Sequence, residues 1–512
     1  FVALDAVKAM TVKLRPDGPL PVAIANFRLA TLDPAGTEQQ TFMACTLLHE
    51  QWGLSTPTYR SRSVTFSFDP RFYFCNHGDP LPEGFDFDPG DGQGFRRVSP
   101  GDQLCVTYAS EGCVNATLRC GALESGFSLQ LDAQPAPPPA DELWQLQAVN
   151  GCRGTAYVYR AHGQSRLTRP MIVAEGFPGG YPCDYLYEML NQHDTLEALR
   201  KAGYDLILLS FANGMDLLQN NAQVMQACIG RVMQRTAEPL VVSGVSMGGL
   251  VARYALAAME TCGQAHNTRL FLTIDTPHRG AYTNLCNQWF AQYFANASPM
   301  AGGFSALLNS PANQQFVMSW FNGQSVQVSP LREQFMQALA ANGNYPQQPR
   351  RLAIACGAGD GQRCLSSHQL ALDWSGSPLA GARLWTLAET GDACAVIAEG
   401  YSALADGSIA DSLSDNSELS WEGAPGGQNL YNVYSASIAQ AIGYGEVSAP
   451  IGKTCAVPTV SALDLPGSPF EAIPAPERGL SPFDDYICCE TNQLHLQFTP
   501  KIKDWLLDQL TR

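Results

Sequence analysis

The sequence predicts an α/β protein built on a doubly wound, mostly parallel sheet, with a helical insertion and a small β-rich domain ahead of it. Three observations carry this reading. Short apolar runs that look like buried strands alternate with segments of helical spacing from about residue 170 onward. Strand, helix, strand in that order pairs in parallel through right-handed crossovers. A proline-rich stretch then separates these units from an earlier segment in which helical patterns are scarce.

Residues 1–132 hold β-rich runs at Val12-Lys13-Leu14, Val22-Ala23-Ile24, Val64-Thr65-Phe66-Ser67-Phe68 and Gln103 to Tyr108, divided by Gly, Pro and Asp turns. They read as a small sandwich, or as strands decorating the main domain. Gln134-Pro135-Ala136-Pro137-Pro138-Pro139-Ala140 is a stiff extended linker, so the boundary falls at 133–141. In the main domain, 142–512, Glu142 to Ala148 and Thr155 to Arg160 form a strand pair. Pro170 to Ala174 is a buried strand that breaks into the loop Glu175-Gly176-Phe177-Pro178-Gly179-Gly180. A helix from Asp194 to Ala202, a strand from Asp205 to Ser210 and an amphipathic helix within Asp216–Arg235 follow. Leu240 to Val242 and Arg269 to Ile274 are the next strands, the second ending in Asp275-Thr276-Pro277-His278-Arg279-Gly280.

Residues 281–349 are mostly helical and rich in large apolar groups, among them Trp289, Phe290, Phe294, Phe316 and Trp320. Over the carboxyl end of the sheet they would form a lid; as an ordinary subdomain they would bury those rings in a core of their own. Arg351 to Gly357 resumes the sheet, hairpin-like sequence follows, and the chain closes with Asn492 to Leu496 and a helix from Pro500 to Leu510.

A formal charge of −16 over 512 residues argues against nucleic acid and anionic membrane partners. No apolar run has the length of a membrane span, and transient contact with a lipid interface is left open. Sixteen cysteines, with no CxxC pair and no Cys/His cluster of zinc spacing, point to disulfides and an oxidising compartment. Cys113/Cys120 and Cys356/Cys364 are candidate local bridges, whereas the adjacent Cys488 and Cys489 cannot readily pair with each other. A first residue Phe1 with no leader pattern after it suggests a mature chain, secreted or held in the periplasm or at the cell surface. No organic cofactor or catalytic metal is expected; the Asp-rich loops leave a structural calcium open.

The chemistry-bearing stretch is Gly244-Val245-Ser246-Met247-Gly248, a G-x-S-x-G pattern between an apolar strand and a segment of helical spacing. A serine on that pinched turn needs glycines on both sides, since a Cβ there would meet the neighbouring strand or helix. The Met247 N–H then opens a helix, where an oxyanion would be stabilised.

These residues resemble the α/β-hydrolase family of lipases and esterases. Glu175-Gly176-Phe177 resembles their His-Gly-x oxyanion loop, Ser246 to Arg253 is similar to their serine turn, and Thr276-Pro277-His278-Arg279-Gly280 looks like their Thr-Pro-His-x-Gly segment. The resemblance spans about residues 168–512, and the long insert after Arg351 resembles the lecithin:cholesterol acyltransferase and deacylase-like branch. It implies a secreted serine hydrolase acting on a carboxylic ester or lipid, with backbone N–H groups of Phe177 and Met247 as oxyanion hole. An amidase, peptidase or thioesterase on the same serine, or a weakened hydrolase fold serving as a binding protein, are the alternatives.

The base in this chain order lies on a loop after the last strand. Of eight histidines only His495 falls there; His278 comes too early and reads as a loop-ordering residue, and His368 lies among the hairpins. The acid is harder. In the acyltransferase-like branch it precedes a Val-x-x-x-Ser segment, here Val457 to Ser461, and the matching position is Thr454, which carries no charge. Asp275, at the end of the strand after the serine strand, is the first alternative. Asp484, Asp464 and Asp360 follow, each of which also reads as a turn or cap residue.

Overall fold

The computed structural model describes residues 19–30, 38–46, 58–59, 61–75, 80–131, 137–377, 379–389, 395–403, 411–414, 416–417, 420–443, 445–476 and 479–511. The Val12-Lys13-Leu14 run and residues 134–136 of the proline-rich stretch lie outside them. The chain divides into two units, Phe1–Ala136 and Pro137–Arg512.

The described residues of the first unit form two five-stranded sheets. Glu38–Thr46, Leu20–Ala30, Ser63–Ser67 and Gln103–Thr107 lie side by side, and Tyr73–Cys75 also pairs with Leu20–Ala30. Thr58–Tyr59, Leu123–Leu131, Gly112–Cys120, Phe85–Asp88 and Arg96–Val98 make the other. Alternation sorts the side chains: in Ser63–Ser67, Val64 and Phe66 face inward while Ser63 is exposed. They join Val22, Phe87, Val106, Leu118 and Leu129 in one apolar core, where Phe66 meets Phe87 edge-on at 5.0 Å.

In the second unit, eight strands form one sheet: β1 Glu142–Gln147, β2 Arg153–Tyr159, β3 Pro170–Ala174, β4 Asp205–Phe211, β5 Leu240–Val245, β6 Thr268–Ile274, β7 Arg350–Ala358 and β8 Asp485–Cys489. Their order across the sheet is β1-β2-β4-β3-β5-β6-β7-β8. β1, β2 and β4 pair antiparallel, and every pairing from β4 to β8 is parallel. The central strands are buried on both faces, which is why they read as unbroken apolar runs.

Their period of two divides those runs between two cores. Ile172, Ile207, Val242 and Phe271 face the layer containing the helices Leu218–Met233 and Met247–Thr261. Met171, Leu206, Val241 and Leu270 face Cys183–Leu190, Thr195–Lys201 and Pro500–Thr511. No described helix is long and apolar enough to cross a membrane.

Several details depart from the sequence reading. β8 at Asp485–Cys489 is a strand of the sheet that the sequence reading does not mark. The hairpin-like insert holds a separate antiparallel sheet of Asp411–Ser414, Val396–Ser402, Ala380–Trp385, Leu370–Ser375 and Glu446–Ser448. It also holds an unanticipated helix, Tyr431–Ile442, which buries Tyr434, Ile438 and Ala439. The insertion at 281–349 contributes four helices, and most of its aromatics are core: Trp289 is 1 % exposed, Phe290 and Phe294 0 %, with Phe294 packed on Trp374 at 5.1 Å, while Trp320 is half-buried. Among its described residues Val328 is the one exposed large hydrophobic.

For the cysteines whose side chains are described, the disulfide expectation is corrected. Cys113 and Cys120 are free thiols on a single extended strand, Gly112–Cys120. At about 3.3 Å per residue their Cα atoms lie roughly 20 Å apart, far beyond the ~7 Å that a bridge spans. Cys356, Cys364, Cys488 and Cys489 are free thiols as well.

Candidate active site

Ser246 follows β5 and caps the helix Met247–Thr261 with φ 51° and ψ −126°, a left-handed conformation that a serine adopts only when its surroundings impose it. The packing does so. A Cβ on Gly244 would stand 2.2 Å from the carbonyl carbon of Gly248, and one on Gly248 would stand 2.3 Å from the Glu175 carbonyl oxygen. The Ser246 N–H donates to Ile274 O at 2.8 Å, tying the turn to the end of β6.

Asp275 is the next residue after β6, also at positive φ (46°) and fully buried. Its N–H donates to Ile354 O at 2.7 Å, and its Oδ1 accepts the Cys356 N–H at 2.9 Å, so β7 holds the carboxylate from both ends. Oδ2 lies 2.7 Å from His495 Nδ1, and His495 Nε2 lies 2.8 Å from Ser246 Oγ. A carboxylate opposite Nδ1 puts the ring proton there and leaves Nε2 free to accept the serine proton. The imidazole is 24 % exposed and the carboxylate 0 %, so an incoming molecule reaches the ring but not the carboxylate.

The other acids are engaged elsewhere. Asp484 precedes β8, at the amino edge of the sheet and thus the end away from Ser246, where it accepts the Arg351 N–H at 2.7 Å. Asp464 accepts the Tyr345 hydroxyl at 2.5 Å and lies 3.9 Å from Arg253. Asp360 accepts the Gln362 N–H within its own loop. Thr454 shares its hydroxyl between the side-chain oxygens of Asn284 and Asn429. His278 is buried between Thr273 Oγ1 and Arg253, where burial and the guanidinium hold its pKa well below the usual range. His368 meets Val396 O in the separate sheet.

Met247 opens its helix, so its N–H is one of those with no intrahelical acceptor. Phe177 lies in the loop after β3, which passes so close that a Cβ on Gly176 would be 3.0 Å from Ser246 Cβ. The Phe177 ring packs on Phe316 at 5.2 Å. Glu175 shapes this loop. Fully buried, it accepts the N–H groups of Gly180, Tyr181 and Phe211. Burial nevertheless pushes its carboxyl up to about 7 from an ordinary 4.5. A raised carboxyl pKa makes its contribution to stability fully present below about pH 4.5 and lost as pH rises through about 7. Relative to wild type, Glu175→Gln should therefore gain up to about 3 kcal/mol between those two pH values, from the free energy per pKa unit. Urea unfolding of both proteins at each pH measures this, and an unchanged difference would refute the assignment.

Two residues escape the sequence reading. Gly427, on the strand Gly426–Asn429, faces the acid so closely that a Cβ would stand 2.0 Å from Asp275 Oδ2. The next residue, Gln428, accepts the His495 N–H at 2.8 Å on its carbonyl, so this short strand touches acid and base together. Asn492 accepts the N–H groups of Ala358 and Gly426 on one oxygen, at 2.7 and 3.0 Å, and so pins the loop bearing His495. Neither carries a motif. Gly427→Ala should lower kcat about 100-fold with little change in KM, the scale expected of a displacement of about 1 Å in the reacting geometry; unaltered steady-state kinetics would contradict this. Among the described residues, no three His, Cys, Asp or Glu side chains converge as metal ligands do.

No family model matches the sequence, and no curated protein does. Solved structures with some likeness include Est1E from Butyrivibrio proteoclasticus, at 14 % identity over 26 % of this chain and 51 % of that one, TM-score 0.22. Bacillus licheniformis lipase BlEst2 in its mature form shares 16 % identity over 40 % and 72 %, TM-score 0.27. A Pyrobaculum calidifontis esterase shares 11 % over 42 % and 67 %, TM-score 0.27. The chain thus spans about half the length of Est1E. Likenesses this slight do not establish a common family. The chain itself displays a mixed α/β fold with a large, mostly parallel sheet, and at its carboxyl edge a serine, a histidine and an aspartate in contact.

Proposed function

We propose that this protein is a serine hydrolase that cleaves carboxylic esters through an acyl-enzyme on Ser246. The observation that carries the reading is the unbroken run Ser246 Oγ, His495, Asp275 at 2.8 and 2.7 Å. His495 Nε2 takes the serine proton as Oγ bonds to the ester carbonyl carbon, and Asp275 stabilises the imidazolium. The carbonyl oxygen becomes an oxyanion held by the Phe177 and Met247 N–H groups, a contribution on the order of 3 kcal/mol each. Collapse breaks the bond to the leaving alkoxide, which takes the proton from His495. Water repeats the sequence on the acyl-enzyme and releases the acid.

The substrates are water-soluble esters rather than aggregated lipid. Support comes from the insertion at 281–349, whose large rings are mostly buried, some against the rest of the unit as in Phe294 on Trp374 and Phe316 on Phe177, and leave little apolar surface for an interface. A lid role for that insertion, and secretion, do not enter the mechanism. A fluorophosphonate probe should label the wild type and not Ser246→Ala, and a chain-length series of p-nitrophenyl esters should favour short acyl groups over matched amides. An unlabelled wild type would sink the hydrolase reading; a preference for long-chain esters in emulsion would sink the substrate class.

A further inference from the structure

The amino ends of four neighbouring parallel strands, at the edge of the sheet opposite Ser246, hold a second concentration of charge. Arg169 directly precedes β3, Tyr204 precedes β4, Glu238 lies just ahead of β5, and Arg269 is the second residue of β6. Both guanidinium groups converge on one hydroxyl: Arg169 Nη2 reaches Tyr204 Oη at 2.8 Å and Arg269 Nη2 at 2.6 Å. The two cationic ends are therefore within two hydrogen-bond lengths of each other. Tyr204 Oη donates in turn to Leu510 O at 2.6 Å, in the last turn of the helix Pro500–Thr511, and both Nη2 atoms approach that carbonyl at 3.3 and 3.4 Å.

That carbonyl does not balance the charge. A helix carboxyl end carries about half a negative charge, against two guanidinium groups of one positive charge each. Its two lone pairs are already shared among three donors. Among the described residues no carboxylate lies within ion-pair distance of either arginine, and Arg269 Nε and Nη1 make no hydrogen bond to protein. Neither arginine has an ion pair among the described residues, and the one carboxylate on the wall of their cavity, Glu238, makes no salt bridge with them. They line a surface cavity of about 190 Å³, together with Thr168, Tyr204, Glu238 and Thr511. One water needs only about 10–15 Å³ of such space, so a small ion fits.

We propose that this cavity binds a small tetrahedral oxyanion of the phosphate type, seated across Arg169 and Arg269 and opposite to the catalytic edge. The planar Nε and Nη1 edge of Arg269 suits one edge of such an anion, with Arg169, whose Nη1 donates to Ala202 O at 3.1 Å, supplying charge beside it; Thr168 and Thr511 stand at the rim with their hydroxyl protons already given to Asp205 and Asp508. The inference is independent of the ester-hydrolase reading. The bound anion would also tether the carboxyl-terminal helix, because the same arginines hold Leu510.

Isothermal titration with inorganic phosphate, and thermal unfolding in phosphate against sodium chloride of equal ionic strength, test the site on the full chain. The wild type should bind saturably, with a melting temperature that rises to a plateau. Arg269→Gln should weaken the affinity at least tenfold, and Arg169→Gln with Arg269→Gln should abolish it. Arg269→Lys, which keeps the charge but not the fork, should fall between wild type and Arg269→Gln; it decides the matter if the double variant does not fold. Glycerol phosphate titrated alongside separates the sources: tighter binding of inorganic phosphate identifies a free anion and tighter binding of glycerol phosphate a phosphomonoester, and both support the site. Absence of saturable binding, an affinity unchanged in Arg269→Lys, or an equal rise in melting temperature in wild type and double variant, as salt exclusion alone would produce, overturns it.

Discussion

Ser246→Ala and His495→Ala should each lower kcat on a p-nitrophenyl ester by about a millionfold, and the double variant should be no worse than either alone. The reason is that nucleophile and base act on one proton. Without the imidazole 2.8 Å away, the serine hydroxyl has no acceptor for its proton; without the hydroxyl, the imidazole activates nothing. What remains is the oxyanion loop, which would still hold the carbonyl and accelerate hydrolysis about a thousandfold or more over water. Steady-state kinetics on the two single variants and the double decides it. Strictly additive losses would mean that the two residues do not work as a unit, and the proposed mechanism would fail.

Asp275→Asn should lower kcat about ten-thousandfold with the fold intact. An asparagine preserves the volume, and its side-chain oxygen still accepts the Cys356 N–H, but its NH2 then faces His495 and selects the tautomer with the proton on Nε2. That imidazole cannot accept from Ser246. Asp484→Asn and Asp464→Asn should by contrast leave kcat within about twofold, because they accept from Arg351 and Tyr345 and neither meets His495. Activity at each position, with circular dichroism to show the fold, makes the comparison. A large loss at 484 or 464 with Asp275→Asn active would reassign the acid.

The three residues that meet are legible for different reasons. Ser246 is legible because its turn has no room for a Cβ on either side, and that demand writes Gly244 and Gly248 into the chain. His495 is legible by chain order. Asp275 is legible as the first of several carboxylates, since it ends the strand after the serine strand, but the sequence leaves Asp484, Asp464 and Asp360 beside it. The distinction comes from β8, a strand the sequence reading does not mark; because Asp485 starts it, Asp484 stands at the amino edge and out of reach. The cysteines mislead for a similar reason: seven positions apart looks like a small loop until both residues lie on one extended strand.

The division between the two kinds of information follows from distance along the chain. Strand and helix identity, the two-sided burial of β3 to β6 and the strained serine turn arise from steric and solvation preferences of neighbouring residues, so they are written within a dozen positions of one another. The choice of acid, the strand at Gly427 that spaces it from the base, the clasp of Asn492 and the pairing of Arg169 with Arg269 join residues dozens to hundreds of positions apart. No local preference encodes those encounters; they are decided when the sheet assembles and backbone groups with no water left to bind must find each other.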